Sequence, residues 1–181
     1  TFGGSAGLFA MQEQYLLTRE AFAEIWKHLR PDGVLRVSSW LDSPPRNSLR
    51  LATTLIETLE AAGVDPAAHL AAVRGWDMVT FVVKRSPLTR AETRQIRAFC
   101  EELQFDPVLL PGLGPEERPR YHFSADADLT TLLPRLLSEE QRRQLYQQYE
   151  FDLRPASDNR PFFSQFLRWS GVLRLLRPLG E

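Results

Sequence analysis

The sequence predicts an α/β protein built on an open sheet, and three observations carry that prediction. The first is the stretch 15–40, YLLTREAFAEIWKHLRPDGVLRVSSW, which reads as a capped amphipathic helix, a tight turn and a buried strand. Thr18 suits the N-cap, and Ala21, Phe22, Ile25, Trp26 and Leu29 follow at the spacing of one helical face. Pro31-Asp32-Gly33 stops the helix and turns the chain. Val34, Leu35 and Val37 then make a β-rich run that passes Ser38 and Ser39 and ends at Trp40. A helix feeding a buried strand in this way is half of a βαβ unit. The second observation is a pair of short strands, 70–73 and 78–84, around Arg74-Gly75-Trp76-Asp77, a connection so short that the two must be antiparallel. The third is composition: 43% hydrophobic and 25% charged residues mark an ordinary globular chain rather than a disordered one.

The remaining elements follow from caps and spacing. Ser43 with Pro44 and Pro45 starts a helix whose buried face is Leu49, Ala52, Leu55, Ile56 and Leu59, and Gly63 suits its C′ position. Residues 64–68 are a short connection. Thr89-Arg90-Ala91-Glu92 is a capping box that opens a helix over 90–103, with Ile96, Phe99, Cys100 and Leu103 on one face. Residues 105–110 suit one further strand. From Leu113 prolines and charges dominate, which predicts a boundary near 112 between a sheet-bearing part, 1–112, and a mainly helical extension, 113–181. Within that extension 129–137 and 138–149 read as helices, with Pro134 kinking or ending the first and Ser138–Gln141 capping the second. Phe162, Phe166, Trp169, Leu173 and Leu176 then recur at helical spacing among Arg160, Arg168, Arg174 and Arg177. This apolar stripe over 162–176 fits a juxtamembrane segment against an anionic leaflet as well as it fits a helix closing the core.

Several function classes are disfavoured. A formal net charge of −1 gives no global attraction to nucleic acid. The single cysteine, Cys100, allows no disulfide within the chain and no cysteine-rich zinc site, and its helical face reads as core. His28, His69 and His122 form no i, i+4 ligand pair, so no metal site is expected. No apolar run reaches the roughly 18–20 residues needed to cross a bilayer. The glycines of Gly3-Gly4-Ser5-Ala6-Gly7 lack the preceding strand that a phosphate-cradling loop requires. Thr1 reads as the start of an excised piece of a longer protein.

Topology points to a site before any motif does. Ligands of open parallel sheets bind beyond the carboxyl ends of the strands. The strand after Gly33 ends at Ser38-Ser39-Trp40, and 70–73 running parallel to it brings the 74–77 turn to the same edge. The entry to the first helix lies there too. Glu13, Gln14, Tyr15, Ser38, Trp40, Asp42, Trp76 and Asp77 converge, and aromatic walls with carboxylates suit a cationic, partly aliphatic ligand such as an amine. The competing reading has Trp40 and Trp76 packing locally, with Asp42 and Asp77 as turn formers.

Residues 15–22, YLLTREAF, followed by His28-Leu29-Arg30-Pro31-Asp32-Gly33-Val34, resemble the spermidine/spermine synthase (polyamine aminopropyltransferase) family. The closest likeness is to its membrane-associated bacterial type, through Gly7-Leu8-Phe9-Ala10 ahead of Glu13 and Tyr15, PPRNSLRL at 44–51, and RPASDNRPFF at 154–163. The resemblance implies the C-terminal half of a Rossmann-like class I methyltransferase fold. Of its sheet order 3-2-1-4-5-7-6, this chain would supply strand 5 at 34–39, strand 6 at 70–73 and strand 7 at 78–84. It also implies transfer of an aminopropyl group from decarboxylated S-adenosylmethionine to a polyamine in the longer protein, at the cytoplasmic face of the bacterial inner membrane. Tyr15, Trp76 and Asp77 would line the amine side of that pocket. No cofactor site and no catalytic residue is expected within these 181 residues, because the nucleotide loop and catalytic aspartate belong to the other half of the fold. Ser38 stands where classical family members carry glutamine. The exposed edge of half a sheet predicts self-association, strand swapping or the N-terminal segment folding over that edge. Two other readings stay open: a methyltransferase-type enzyme acting on another small substrate with S-adenosylmethionine, and a non-catalytic folding or assembly module.

Overall fold

A computed structural model describes residues 12–117, 121–122 and 129–168. The glycine cluster at 3–7 and the tail from 169 onward lie outside the described residues. The chain opens with a 3₁₀ turn, Tyr15–Leu17, and helix α1, Arg19–His28, whose N-cap Thr18 accepts a hydrogen bond from the Ala21 amide. Phe22 and Trp26 are the buried residues of its apolar face. Strand β1, Val34–Trp40, follows the turn, and helix α2, Asn47–Ala61, comes next. Gly63 follows it at φ +74°, the left-handed conformation expected of a residue just past a helix end. A single helical turn, α3, Pro66–His69, leads into the hairpin of β2, Leu70–Arg74, and β3, Met78–Lys84. Helix α4, Arg90–Leu103, carries the predicted Thr89–Glu92 capping box, and β4 spans Asp106–Leu109. Helices α5, Leu129–Leu136, and α6, Glu139–Gln148, complete the elements, with α5 passing through Pro134 before it ends.

The protein is mixed α/β, and every pairing among its four strands is antiparallel: the hairpin expected of 70–73 and 78–84 is present, while the parallel pairing expected of an open α/β sheet is not found among the described strands. The order is β1-β3-β2-β4. Strands β1 and β2 do run in the same direction, as a helix crossover requires, yet β3 lies between them and pairs with both. The crossover through α2 skips one position, and the hairpin return fills it. Among the described residues strand β1 is therefore an edge. The carbonyl of Gly33 accepts from the Arg85 amide and the Leu41 amide donates to Asp77, so odd-numbered residues of β1 face β3. The alternation of antiparallel ladders leaves the backbone groups of Val34, Arg36, Ser38 and Trp40 directed outward.

One face of the sheet carries the core. Phe81, Val79, Val83, Leu70 and Ala72 pack with Phe22 and Trp26 of α1, with Leu49, Leu55, Ile56 and Leu59 of α2, and with Leu132, Leu133 and Leu136 of α5. The leucines of the C-terminal helices thus share one cluster with the sheet. Each such side chain contributes about 1.5–3 kcal/mol on burial. Helix α2 is buried nearly all round, because α5 and the 150s segment cover the side turned from the sheet. Its threonines survive burial by bonding to carbonyls: Thr54 to Arg50 O at 2.7 Å, Thr58 to Thr54 O at 2.7 Å, and Thr53 to Leu153 O at 2.6 Å. The other face is covered over β2 and β4 by α4 and leaves a groove of about 780 Å³ reaching from Val34 to Phe105.

Residues 162–168 form turns and extended chain, which corrects the first part of the stripe predicted over 162–176. Phe163 and Phe166 are buried, and Phe166 meets Phe151 edge-to-face and lies under the guanidinium of Arg50. The aromatic side chains here reach the core from irregular backbone, so helical spacing misled. Trp169, Leu173 and Leu176 lie outside the described residues.

Candidate functional site

The segment 154–163 runs alongside the entry to α1 and makes the site that the structure assembles. Ala156 bridges to Thr18 in a parallel pairing, and its carbonyl accepts from the Arg19 amide at 3.0 Å. The Gln14 amide donates to Pro161 O at 2.6 Å, and the Gln14 side-chain amide donates to Ser164 Oγ at 3.3 Å. Thr18 is fully buried and its hydroxyl lies 2.7 Å from Asp158 Oδ1, so the residue that caps α1 also holds Asp158. The Asp158 amide in turn donates to Glu20 Oε2 at 3.1 Å. These bonds fix the loop to the helix start across some 140 residues of sequence.

Tyr15 stands at this junction, half exposed, with Glu13 and Asp158 beside it. The Glu13 carboxylate, through its charge and its hydrogen bond with the phenol, raises the Tyr15 pKa above the usual tyrosine value, and the Asp158 charge adds to this. A neutral phenol near two carboxylates offers acceptors and no positive charge. That combination is suited to an ammonium group, which brings three N–H donors and one charge. Asp158 was not singled out in the sequence. The signal available there was its place in the RPASDNRPFF block, but nothing in the spacing ties position 158 to position 15.

The other predicted residues fall in a second place. Trp76 and Asp77 sit in the β2–β3 turn and line the groove with Val34, Thr80, Ile96 and Phe105. Trp76 is 84% exposed and meets the His122 ring edge-on at 4.8 Å. Trp40 is opposite Met78 at the end of β1 and is also exposed. Among the described residues Tyr15 shares no hydrogen bond, ion pair or ring contact with Trp76 or Asp77. The structure thus groups Tyr15 with Glu13 and Asp158, and Trp76 with Asp77. Asp42 accepts from the Arg46 and Asn47 amides and pairs with the Arg46 guanidinium at 3.0 Å, so it caps α2. The Ser38 hydroxyl lies 2.8 Å from that of Thr80 on the solvent-facing side of the sheet.

The buried polar pair of Asp106 and His122 has a structural explanation. The carboxylate of Asp106 accepts from the Tyr121 and His122 amides at 2.9 and 2.7 Å, and His122 Nδ1 lies 3.1 Å from it. Cys100 is buried, and burial pushes its thiol up to about 11, away from thiolate chemistry. Among the described residues no group of three or more histidine, cysteine or acidic side chains is placed to hold a metal ion. Nor is any helix among them long and apolar enough to cross a membrane. Compared with models of known protein families, with curated proteins and with solved structures, the chain matches none.

Proposed function

We propose that this chain is the C-terminal part of a spermidine-synthase-like aminopropyltransferase domain and that it supplies the amine side of the active site. The observation that carries the reading is the strand order. A helix crossover followed by a hairpin has no inherent need to insert its last strand between the first two, yet β3 lies between β1 and β2. With β1, β2 and β3 taken as strands 5, 6 and 7 of the expected fold, this is the segment 5-7-6, with strand 7 antiparallel. The position of Tyr15 and its carboxylates at the start of α1 further supports the reading. Helix α1 runs against β1, so its entry lies toward the carboxyl end of that strand, where ligands of such sheets bind.

In the reaction so proposed, an amine nitrogen of the polyamine attacks the aminopropyl carbon beside the sulfonium of decarboxylated S-adenosylmethionine. The C–N bond forms, the C–S bond breaks with its electron pair going to sulfur, and the nitrogen releases a proton. Glu13, Tyr15 and Asp158 would hold a polyamine ammonium, and Trp76 and Asp77 would meet a more distant part of the amine chain. The sequence shows no glycine-rich loop between a strand and a helix for the adenosyl group, so no step on that side is assigned to these residues. The longer protein would work at the cytoplasmic face of a bacterial membrane.

The test is a pair of titrations on the 181-residue chain. Spermidine should shift the NMR signals of Glu13, Tyr15 and Asp158 in a salt-sensitive manner, and Asp158→Asn should weaken that response. Decarboxylated S-adenosylmethionine should give no saturable heat in calorimetry. Saturable binding near micromolar, about −8 kcal/mol, or spermidine shifts that ignore Asp158→Asn, would overturn the assignment.

A further inference from the structure

The segment that holds Asp158 also builds a basic pocket. A cavity of about 190 Å³ is lined by Arg50, Asp152, Arg154, Ser157, Arg160 and Gln165 among others. Three guanidinium groups therefore share one small space with a single carboxylate, that of Asp152, leaving two positive charges without a matching anion. Arg50 is 3% exposed. It donates to Phe163 O at 2.6 Å, to Asp152 O at 2.5 Å and more weakly to Phe162 O at 3.4 Å, while its Nε finds no acceptor. Arg154 grips Asp152 with two 2.8 Å bonds, from Nε and from one terminal nitrogen, so its other terminal nitrogen is left for a ligand. The Arg160 side chain is exposed and has no hydrogen bond or ion pair among the described residues.

We infer that this pocket binds a phosphate group, with Arg160 and the free edge of Arg154 as its direct donors and the buried charge of Arg50 beneath them. Three considerations favour phosphate over a carboxylate. The surplus of two charges matches a dianion, and donors from more than one guanidinium can engage the three or more oxygens of a phosphate where a carboxylate offers two. The volume exceeds several waters at roughly 30 Å³ each, enough for one tetrahedral oxyanion. Ser157 and Gln165 at the rim supply neutral donors that a fourth oxygen would use. The arginines also repel one another: the charges of Arg154 and Arg160 add to burial in lowering the Arg50 pKa, a strain that an anion removes. The inference is independent of the polyamine reading, since it rests on different side chains of the loop and on the opposite charge.

A phosphate group reaches such a pocket as a soluble monoester or as the headgroup of an anionic lipid, and two arms separate these sources. In the first, inorganic phosphate and glycerol 3-phosphate are titrated into the chain and followed by amide shifts. In the second, the chain is sedimented with vesicles of phosphatidylglycerol or of phosphatidylcholine. Arg160→Gln, at an exposed side chain with no partner to lose, should weaken binding at least tenfold in whichever arm responds, and Arg160→Glu should abolish it. Arg143→Gln, which alters an exposed arginine on α6 paired among the described residues with Glu139, should leave binding unchanged. Response of the soluble arm identifies a phosphate ester, and response confined to phosphatidylglycerol vesicles identifies a headgroup. No response in either arm, or equal losses in Arg160→Gln and Arg143→Gln with folding intact by circular dichroism, would overturn the inference.

Discussion

Replacing Arg50 distinguishes two reasons for burying an arginine in α2. In the structure the value of the residue lies in geometry: its planar fork reaches carbonyls of Asp152 and Phe163, which belong to separate parts of the covering segment. Its charge is a cost, for burial, with the nearby charges of Arg154 and Arg160, pulls the guanidinium down to about 10, equivalent to about 3 kcal/mol. Arg50→Met removes that cost but strands two carbonyls at about 1–3 kcal/mol each, and forfeits stacking on Phe166 worth about 1–2 kcal/mol. The net loss is about 2 kcal/mol. Arg50→Lys keeps a buried charge while one ammonium cannot span both carbonyls, so it should be less stable than Arg50→Met by a further 1–2 kcal/mol or so. Urea unfolding followed by tryptophan fluorescence reads this directly. With a slope of about 2 kcal/mol per molar urea, the midpoint should fall by about 1 M for methionine and further for lysine. If lysine proves nearer to the wild type than methionine, charge and not the fork is what the site requires, and the reasoning fails.

Three further outcomes are expected. Hydrogen exchange along β1 should alternate, fast at Arg36, Ser38 and Trp40 and slow at Leu35, Val37 and Ser39, and uniform protection would show the edge to be covered. Thr18→Ala should cost about 1–2 kcal/mol through the lost cap and should also free the Asp158 loop, visible as faster exchange at Asp158; a stability loss without that local change would argue against a shared role. On the alkaline side, burial and Glu57 raise the Tyr146 phenol, and burial with Glu150 and Asp42 raises that of Tyr149. The unfolded chain therefore releases protons near pH 10 that the folded one retains, so stability falls as pH rises past about 10. Tyrosinate absorbance should show Tyr146 and Tyr149 ionising only together with loss of circular dichroism, and their free titration in folded protein would contradict this.

How much of this was legible in the sequence depends on how far apart the cooperating residues lie. Caps are local, and the Thr18, Thr89 and Ser138 caps stand where the spacing puts them. Helical faces are local too, and Leu49, Ala52, Leu55, Ile56 and Leu59 are all buried as their period implies. The same period failed at Phe162 and Phe166, because a phenylalanine in extended chain repeats by coincidence as easily as one in a helix. Sheet order is not local at all: the 74–77 connection forces β2 and β3 to pair, but it is silent on whether β3 or β2 meets β1. What decides it is the face of β3. Val79, Phe81 and Val83 alternate with Thr80, Val82 and Lys84, and all seven residues of β1 find partners along β3, whereas β2 has only five to offer.

The candidate site shows the same limit in sharper form. Tyr15 was found because it lies beside a helix start, and Asp77 because it lies in a turn. Asp158, which the structure sets beside Tyr15, belongs to a loop whose position is determined by Arg50 on α2, Thr18 before α1 and the aromatic residues at 163 and 166. Each of those contacts joins parts of the chain about 100 residues or more apart. The loop is irregular, so no period announces it, and its anchoring donors are an arginine and a threonine that a helical wheel assigns to a solvated face. Buried polar residues on an otherwise apolar helix therefore carried the information: Arg50, Thr53 and Thr54 have to bond with something, and what they bond with, besides their own helix, is the segment that delivers Asp158 to Tyr15, and Arg154 and Arg160 to the basic pocket.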